Sequence, residues 1–188
     1  MALMEISLTA CADMLLGDCT YIFGGYSDEY GELTSVERYS ILGNTWEDLP
    51  NMGVARWDIS AVAALRNDIF ILGGYDSRVL ALFDTELLEW KAEAILCDMP
   101  GLKGAAAAAV LKNRYLVVIA GKGEYFDRSA GWLIYDCWSN QWSRKSASVN
   151  MFTARDGHTA AVIDGEIVVA GGQYLSSMEC IDANDILK

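Results

Sequence analysis

Residues 59–90 read ISAVAALRNDIFILGGYDSRVLALFDTELLEW, and this stretch decides the fold. It carries three marks in a fixed order. A run of small residues (ISAVAAL) comes first, then an apolar run closed by a glycine pair (IFILGGY), then an aromatic followed seven residues later by tryptophan, Phe83 and Trp90. Short apolar runs bounded by turn formers read as strands, and the glycines mark places where a backbone or ring approaches closely.

Outward from this stretch the same marks return. Glycine-closed runs recur as YIFGGY (21–26), LVVIAGK (116–122) and IVVAGGQ (167–173). The second glycines, Gly25, Gly74, Gly121 and Gly172, are separated by 49, 47 and 51 residues. The aromatic pair recurs as Tyr39 and Trp46 and as Tyr135 and Trp142; in the fourth unit Ile181 and Lys188 take those places. Small-residue strands precede each pair: LTACA (8–12), GAAAAAVL (104–111) and HTAAVI (158–163). A self-similar period near fifty is the mark of a repeat architecture.

Each unit reads as four strands. The innermost is Ala-rich because strands crowding a central axis leave no room for bulk. The second ends in the glycines, the third carries Tyr, Phe or Ile, and a turn with Asn44, Asp84 or Asn140 leads to a fourth strand opened by Trp. The large aromatics fill the wider outer space between neighbouring sheets. One such sheet cannot bury both faces, so the units stack around an axis. The expected fold is all-β: four repeats of four-stranded antiparallel blades over approximately 7–50, 58–95, 104–148 and 157–188, the last blade incomplete.

These marks resemble the kelch repeat, and the resemblance covers roughly residues 7–188; it implies a β-propeller and a binding module. Unit three departs with Ala120-Gly121 for the pair, and unit four lacks both aromatics and its outer strand. The dipeptide Trp57-Asp58 occurs once and before an inner strand, so it does not speak for the rival WD40 propeller. Kelch propellers usually close with more blades. The chain thus reads as part of a larger propeller, as a small ring closed by residues 1–6, or as an open arc whose edges pair with another copy.

The chain has 188 residues, 53% apolar and 21% charged, with 26 acidic against 14 basic residues and a net charge of −12. That charge disfavours nucleic acid and anionic membrane as partners. No apolar run approaches the roughly 18 residues of a membrane span. The odd set of Cys11, Cys19, Cys97, Cys137 and Cys180 lacks any CxxC pair and reads as reduced, buried thiols of a soluble cytoplasmic protein.

Chemistry is sparse. His158 is the only histidine, which argues against a His-rich metal cluster or a catalytic triad; no cofactor or metal is expected. Gly121-Lys122-Gly123 lacks the flanking residues of a phosphate loop. Binding is easier to place. Arg56, Lys103 and Arg155 stand just before successive inner strands, where they would face one mouth suited to a protein or acidic peptide. The kelch resemblance adds Tyr26 and Tyr75, just after the glycine pairs, and implies an adaptor-like role. Loops 26–36 and 122–131 would form an acidic rim. The alternatives are a metal-independent sugar epimerase or mutarotase, with Arg56, Arg155, Glu124 and His158 as its residues, and an architectural, actin-linked propeller segment. Exposed sheet edges also suggest edge-mediated self-association.

Overall fold

The computed structural model describes residues 11–188 apart from positions 60, 75, 76, 92–97, 102, 103, 124 and 126. Alternating apolar runs broken by tight turns fold into four antiparallel sheets. Blade one holds β1 (Ala12–Leu16), β2 (Cys19–Phe23), β5 (Val36–Ser40) and β6 (Thr45–Leu49), with a small hairpin of β3 (Tyr26–Ser27) and β4 (Gly31–Glu32) in its longest loop. Blade two holds β7 (Ala61–Leu65), β8 (Asp68–Gly74), β9 (Ser77–Asp84) and β10 (Glu89–Trp90). Blade three holds β11 (Ala107–Leu111), β12 (Tyr115–Ile119), β13 (Trp132–Asp136) and β14 (Gln141–Arg144). Among the described residues blade four has three strands, β15 (His158–Ile163), β16 (Glu166–Gly171) and β17 (Met178–Asp182), followed by a short helix, α1 (Ala183–Leu187).

The blades form a β-propeller whose first strands lie innermost and pack in the order β1, β7, β11, β15. Among the described residues no comparable packing joins β15 to β1. The segment 1–6, expected as a closing strand in one reading, lies outside the described residues. Blade one departs from the Ala-rich rule. Its inner strand is ADMLL rather than LTACA, of which residues 8–10 are outside the described set, and it ends in Leu15 and Leu16. The free thiols also differ from expectation: Cys11 and Cys180 are exposed, Cys19 and Cys137 half-buried, and Cys97 lies outside the described residues.

Three apolar clusters fill the spaces between blades. Tyr21 and Phe23 of blade one meet Ile69, Ile71 and Phe83 of blade two. Phe70, Leu72 and Leu80 meet Leu116, Val118 and Tyr135 of blade three. Val117, Ile119 and Ile134 meet Ile167 and Val169 of blade four, together with Ala183 and Ile186 of α1. Every junction is thus a core of interdigitated aliphatic and aromatic side chains.

The seven-residue spacing has a geometric cause. Tyr39 and Trp46, Phe83 and Trp90, and Tyr135 and Trp142 are directly opposite in their strand pairs, with ring centroids 5.0, 5.1 and 5.1 Å apart. Tyr39 donates its hydroxyl to Asn44 Oδ1 at 2.8 Å and Tyr135 to Asn140 Oδ1 at 2.6 Å. Both asparagines sit in the left-handed region, which asparagine tolerates well. Blade two has Phe83 and, at the left-handed position, Leu88 (φ 54°), so it lacks this bond and places a bulky side chain where one is disfavoured. In a double-mutant cycle, Phe83→Tyr and Leu88→Asn should couple favourably by about 1 kcal/mol, read from urea midpoints. A coupling near zero would mean that the bonds of blades one and three contribute nothing.

Candidate functional site

In each antiparallel blade, the second-to-third and fourth-to-first connections emerge on one face and the two tighter turns on the other. The first is the loop face. Its loops start at the glycine pairs, where a side chain has no room: a Cβ on Gly24 would lie 2.3 Å from the Arg56 carbonyl oxygen.

Arg56 and Arg155 stand at the base of this face and join adjacent blades. The backbone of Arg56 donates N–H to Leu33 C=O at 3.0 Å and accepts Gly25 N–H at 2.8 Å, both from the loop of blade one. Its guanidinium reaches into blade two, donating to Gly73 C=O at 3.4 Å and Val79 C=O at 3.1 Å. Arg155 repeats the pattern between blades three and four. Its backbone bonds Ser129 C=O at 3.0 Å and Gly121 N–H at 2.9 Å. Its guanidinium donates to Gly171 C=O (2.7 Å), Ser177 C=O (2.9 Å), Ser177 Oγ (2.9 Å) and Glu179 Oε1 (2.8 Å).

These two arginines, expected to line an open mouth, are therefore turned into the wall: Arg56 is 3% exposed and Arg155 0%. The position before the inner strand suits a side chain that reaches its own blade's glycine turn, where the carbonyls accept from the terminal guanidinium nitrogens. Lys103 and Tyr75 lie outside the described residues. Tyr26 does lie on the loop face, exposed, in the β3–β4 hairpin with its ring 6.0 Å from that of Trp57. The indole N–H of Trp57 donates to Glu32 Oε1 at 3.0 Å.

Other ionisable groups of this face are engaged with one another. Asp156, buried, is paired with Lys122 Nζ at 3.3 Å and with Arg128. Arg128 also donates to Gln173 Oε1 at 3.0 Å, tying the loops of blades three and four together. Burial pushes the Glu179 pKa up, but hydrogen bonds from Arg155, Phe152 N–H and Thr153 N–H outweigh this and hold it below the usual range. Among the described residues no group of three or more His, Cys, Asp or Glu could hold a metal ion.

His158 opens β15 beside this network and is buried, with neither ring nitrogen hydrogen-bonded among the described residues. Burial lowers its pKa and the neighbouring Arg155 adds to this, while the Ile119 backbone and Asp156 pull weakly the other way. An imidazole held neutral in the fold contributes stability above its unfolded pKa of about 6.5, and that contribution is lost as the pH falls toward the folded pKa. The urea midpoint should therefore fall as the pH drops below about 6.5. As His158 is the only histidine, His158→Leu should flatten that window. An unchanged slope in the variant would contradict this.

The exposed features of the loop face are aromatic. Tyr30, Tyr125 and Tyr174 project from the second-to-third connections of blades one, three and four, Tyr125 and Tyr174 at 88% and 90% exposure. The sequence analysis names the loops of Tyr30 and Tyr125 only as an acidic rim and assigns no role to Tyr174. The available signal was an aromatic inside a polar loop, where no core can claim it. Beside the blade-three loop, a groove of about 290 Å³ is lined by Ser129, Trp132, Arg144, Lys145 and Asn150.

Comparison with known proteins agrees with this architecture. A family model described as the KLHDC2/KLHL20/DRC7 Kelch-repeats domain matches residues 59–187, and one described as the Kelch motif matches residues 9–53. Kelch-like protein 38 of Mus musculus is 27% identical over 163 residues, which cover 84% of this chain and 26% of that protein. Kelch-like protein 38 of Homo sapiens is 26% identical over the same length and shares. The chain spans about a quarter of the length of these relatives. No helix among the described residues is long and apolar enough to cross a membrane.

Proposed function

The chain belongs to the kelch-repeat family, and from that premise we propose that it is a protein-interaction module that takes its partner on the loop face. The observation that carries this reading is the set of exposed tyrosines on loops of one face, above a base tied down by buried arginines. Loops on a rigid scaffold are where recognition residues sit, and tyrosine offers large contact area at low ordering cost.

In this reading Tyr26, Tyr30, Tyr125 and Tyr174 touch the partner, and Tyr75 and Lys103 join them by their equivalent places in the repeat. Arg56 and Arg155 act through the loops they hold and do not touch the partner. An acidic side chain of the partner segment fits the groove walled by Arg144 and Lys145, which replaces the arginine-lined mouth as the cationic element. An adaptor role in the cytoplasm follows from the same reading. Catalysis gains no support from the geometry, since Arg56 and Arg155, half of the candidate set for a sugar epimerase, have their guanidiniums held by backbone carbonyls.

The test is a selection of displayed peptides against the purified protein, followed by titration of the winners. Tyr125→Ala with Tyr174→Ala should weaken binding by about tenfold or more, and Lys145→Glu should disfavour the acidic winners. Selected peptides whose affinity ignores all three substitutions would reject the loop face.

A further inference from the structure

The inner hairpins of blades one, two and four turn in two residues, Gly17-Asp18, Arg66-Asn67 and Asp164-Gly165. Blade three takes three, Lys112 to Arg114. This longer turn lies on the face opposite the loops, the turn face, and it brings Arg114 against the connection from β13 to β14. The Arg114 guanidinium forks onto Asp136, with Nε donating to Oδ1 at 2.7 Å and Nη2 donating to Oδ2. Its central carbon lies 4.8 Å from the ring centroid of Tyr115 and 4.5 Å from that of Trp138. Asp136 Oδ1 also accepts the Trp138 backbone N–H at 3.0 Å. The indole is thereby pinned through its main chain and through one ring face.

Nothing in the propeller calls for this tryptophan. At the same distance past Tyr39 and Phe83, blades one and two carry Leu42 and Glu86. Of the six tryptophans the other five are buried or half-buried, whereas Trp138 is 70% exposed. A large side chain that is already ordered and still in water is the form a binding anchor takes, since its freedom is lost before a partner arrives. A departure from the repeat that is confined to one unit and adds nothing to a core points the same way.

The chemistry of the cluster selects its occupant. A guanidinium over one face of the indole draws on the π density, so the opposite face disfavours a second cation and suits an uncharged hydrocarbon group. Lys112, at the tip of the inner hairpin, is exposed and forms no ion pair among the described residues. Its backbone is held in the left-handed region (φ 52°), an unfavourable place for lysine. Blade three thus presents two cations at this rim, Lys112 and Arg114, against the single carboxylate of Asp136, in a chain of net charge −12. At about 0.15 M salt, charges beyond roughly 8 Å are largely screened, so an acidic group placed here responds to the local cations.

We propose that the turn face of blade three is an interaction surface distinct from the loop face, on which Trp138 receives an aliphatic or proline side chain of a partner protein and Lys112 an adjacent carboxylate. The partner segment is acidic with an apolar residue at its centre. Arg114 is a positioning residue that acts through Trp138 by fixing the indole. The surface lies on the opposite side of the propeller from Tyr26, Tyr125 and Tyr174, so the proposal does not depend on the loop-face reading.

The test is a selection of randomised displayed peptides on the full chain at about 0.15 M salt, run in parallel on wild type and on Trp138→Ala. Peptides that bind wild type and not the variant are expected, with Asp or Glu beside Leu, Ile, Val or Pro. A synthesised winner should shield tryptophan fluorescence from acrylamide. It should bind Trp138→Ala about tenfold or more weakly and Lys112→Glu about threefold more weakly, and bind the Tyr125→Ala, Tyr174→Ala double variant as it binds wild type. Arg114→Gln, which frees the indole, should weaken binding by about threefold and leave Trp138 more open to acrylamide. The unfolding midpoints of Trp138→Ala and Lys112→Glu should match wild type, because both side chains lie in solvent. An unfolded Trp138→Ala would give the indole a structural role and overturn the proposal. So would a lack of winners that depend on Trp138, basic winners, affinity that follows Tyr125 and Tyr174 instead, or self-association of the chain that Trp138→Ala abolishes.

Discussion

Replacing Arg155 with alanine is expected to destabilise the protein by about 3–5 kcal/mol, the range for breaking a buried charged network by removing one partner. Four hydrogen bonds end on this guanidinium, which is fully buried. Without it the carbonyl of Gly171 loses the guanidinium, that of Ser177 is left with the Gly171 N–H, and Glu179 keeps its charge with only the Phe152 and Thr153 N–H groups to satisfy it. Arg155→Lys keeps a charge but not the planar fork that reaches three residues at once, so about 2 kcal/mol should still be lost. Urea denaturation read by tryptophan fluorescence checks both values. A loss below about 1 kcal/mol for the alanine variant would mean that water replaces the guanidinium at little cost. A charge reversal at Arg155 would act first on folding, so loss of partner capture in such a variant would say nothing of contact.

The second large effect is expected at Ile186. Where the other blades make their third turn, blade four has α1, which turns inward with Ile186 at 0% exposure. Asp182 starts the helix by accepting Asn184 N–H at 2.7 Å, which is N-cap chemistry. A helix of five residues has no stability of its own, so its order derives from burying Ala183 and Ile186 against Leu111, Val117 and Ile167. Ile186→Ala should remove about 2–5 kcal/mol and release the helix. Thermal unfolding gives the first quantity, and exchange of the amides in 183–187 the second. Asn184→Ala, on the exposed side of the same helix, is the control and should stay within about 0.5 kcal/mol of wild type.

The parts of this structure that could be read from sequence are those in which one local geometry recurs. Glycine at Gly24, where the approach to the next blade passes at Arg56, and the opposition of Tyr39 to Trp46 within one sheet belong to geometries that return with each repeat, so period and residue type report them directly. The arginines were located by the same period, yet their role could not be read. The place before an inner strand serves equally for a side chain entering the channel and for one turning back to its own glycine loop. Only the acceptors at Gly73, Val79, Gly171 and Ser177, distant in sequence, separate the two. Helix α1 was missed because ANDIL following Asp182 is too short to show a helical period. The inner strand of blade one was placed too early because its small residues precede the paired segment, whose register with Cys19–Phe23 sets the true strand.

The arginine clasps also separate what the loops do from what holds the sheets. Arg155 grips both shoulders of the connection after β16, at Gly171 and Ser177, so residues 172–176 hang from a fixed stem. A foreign segment spliced beside Tyr174 would inherit that stem, and its fraying would stop at the guanidinium instead of spreading into the blade. Evolution, or a library builder, could thus exchange recognition sequences on this rim while leaving the host untouched.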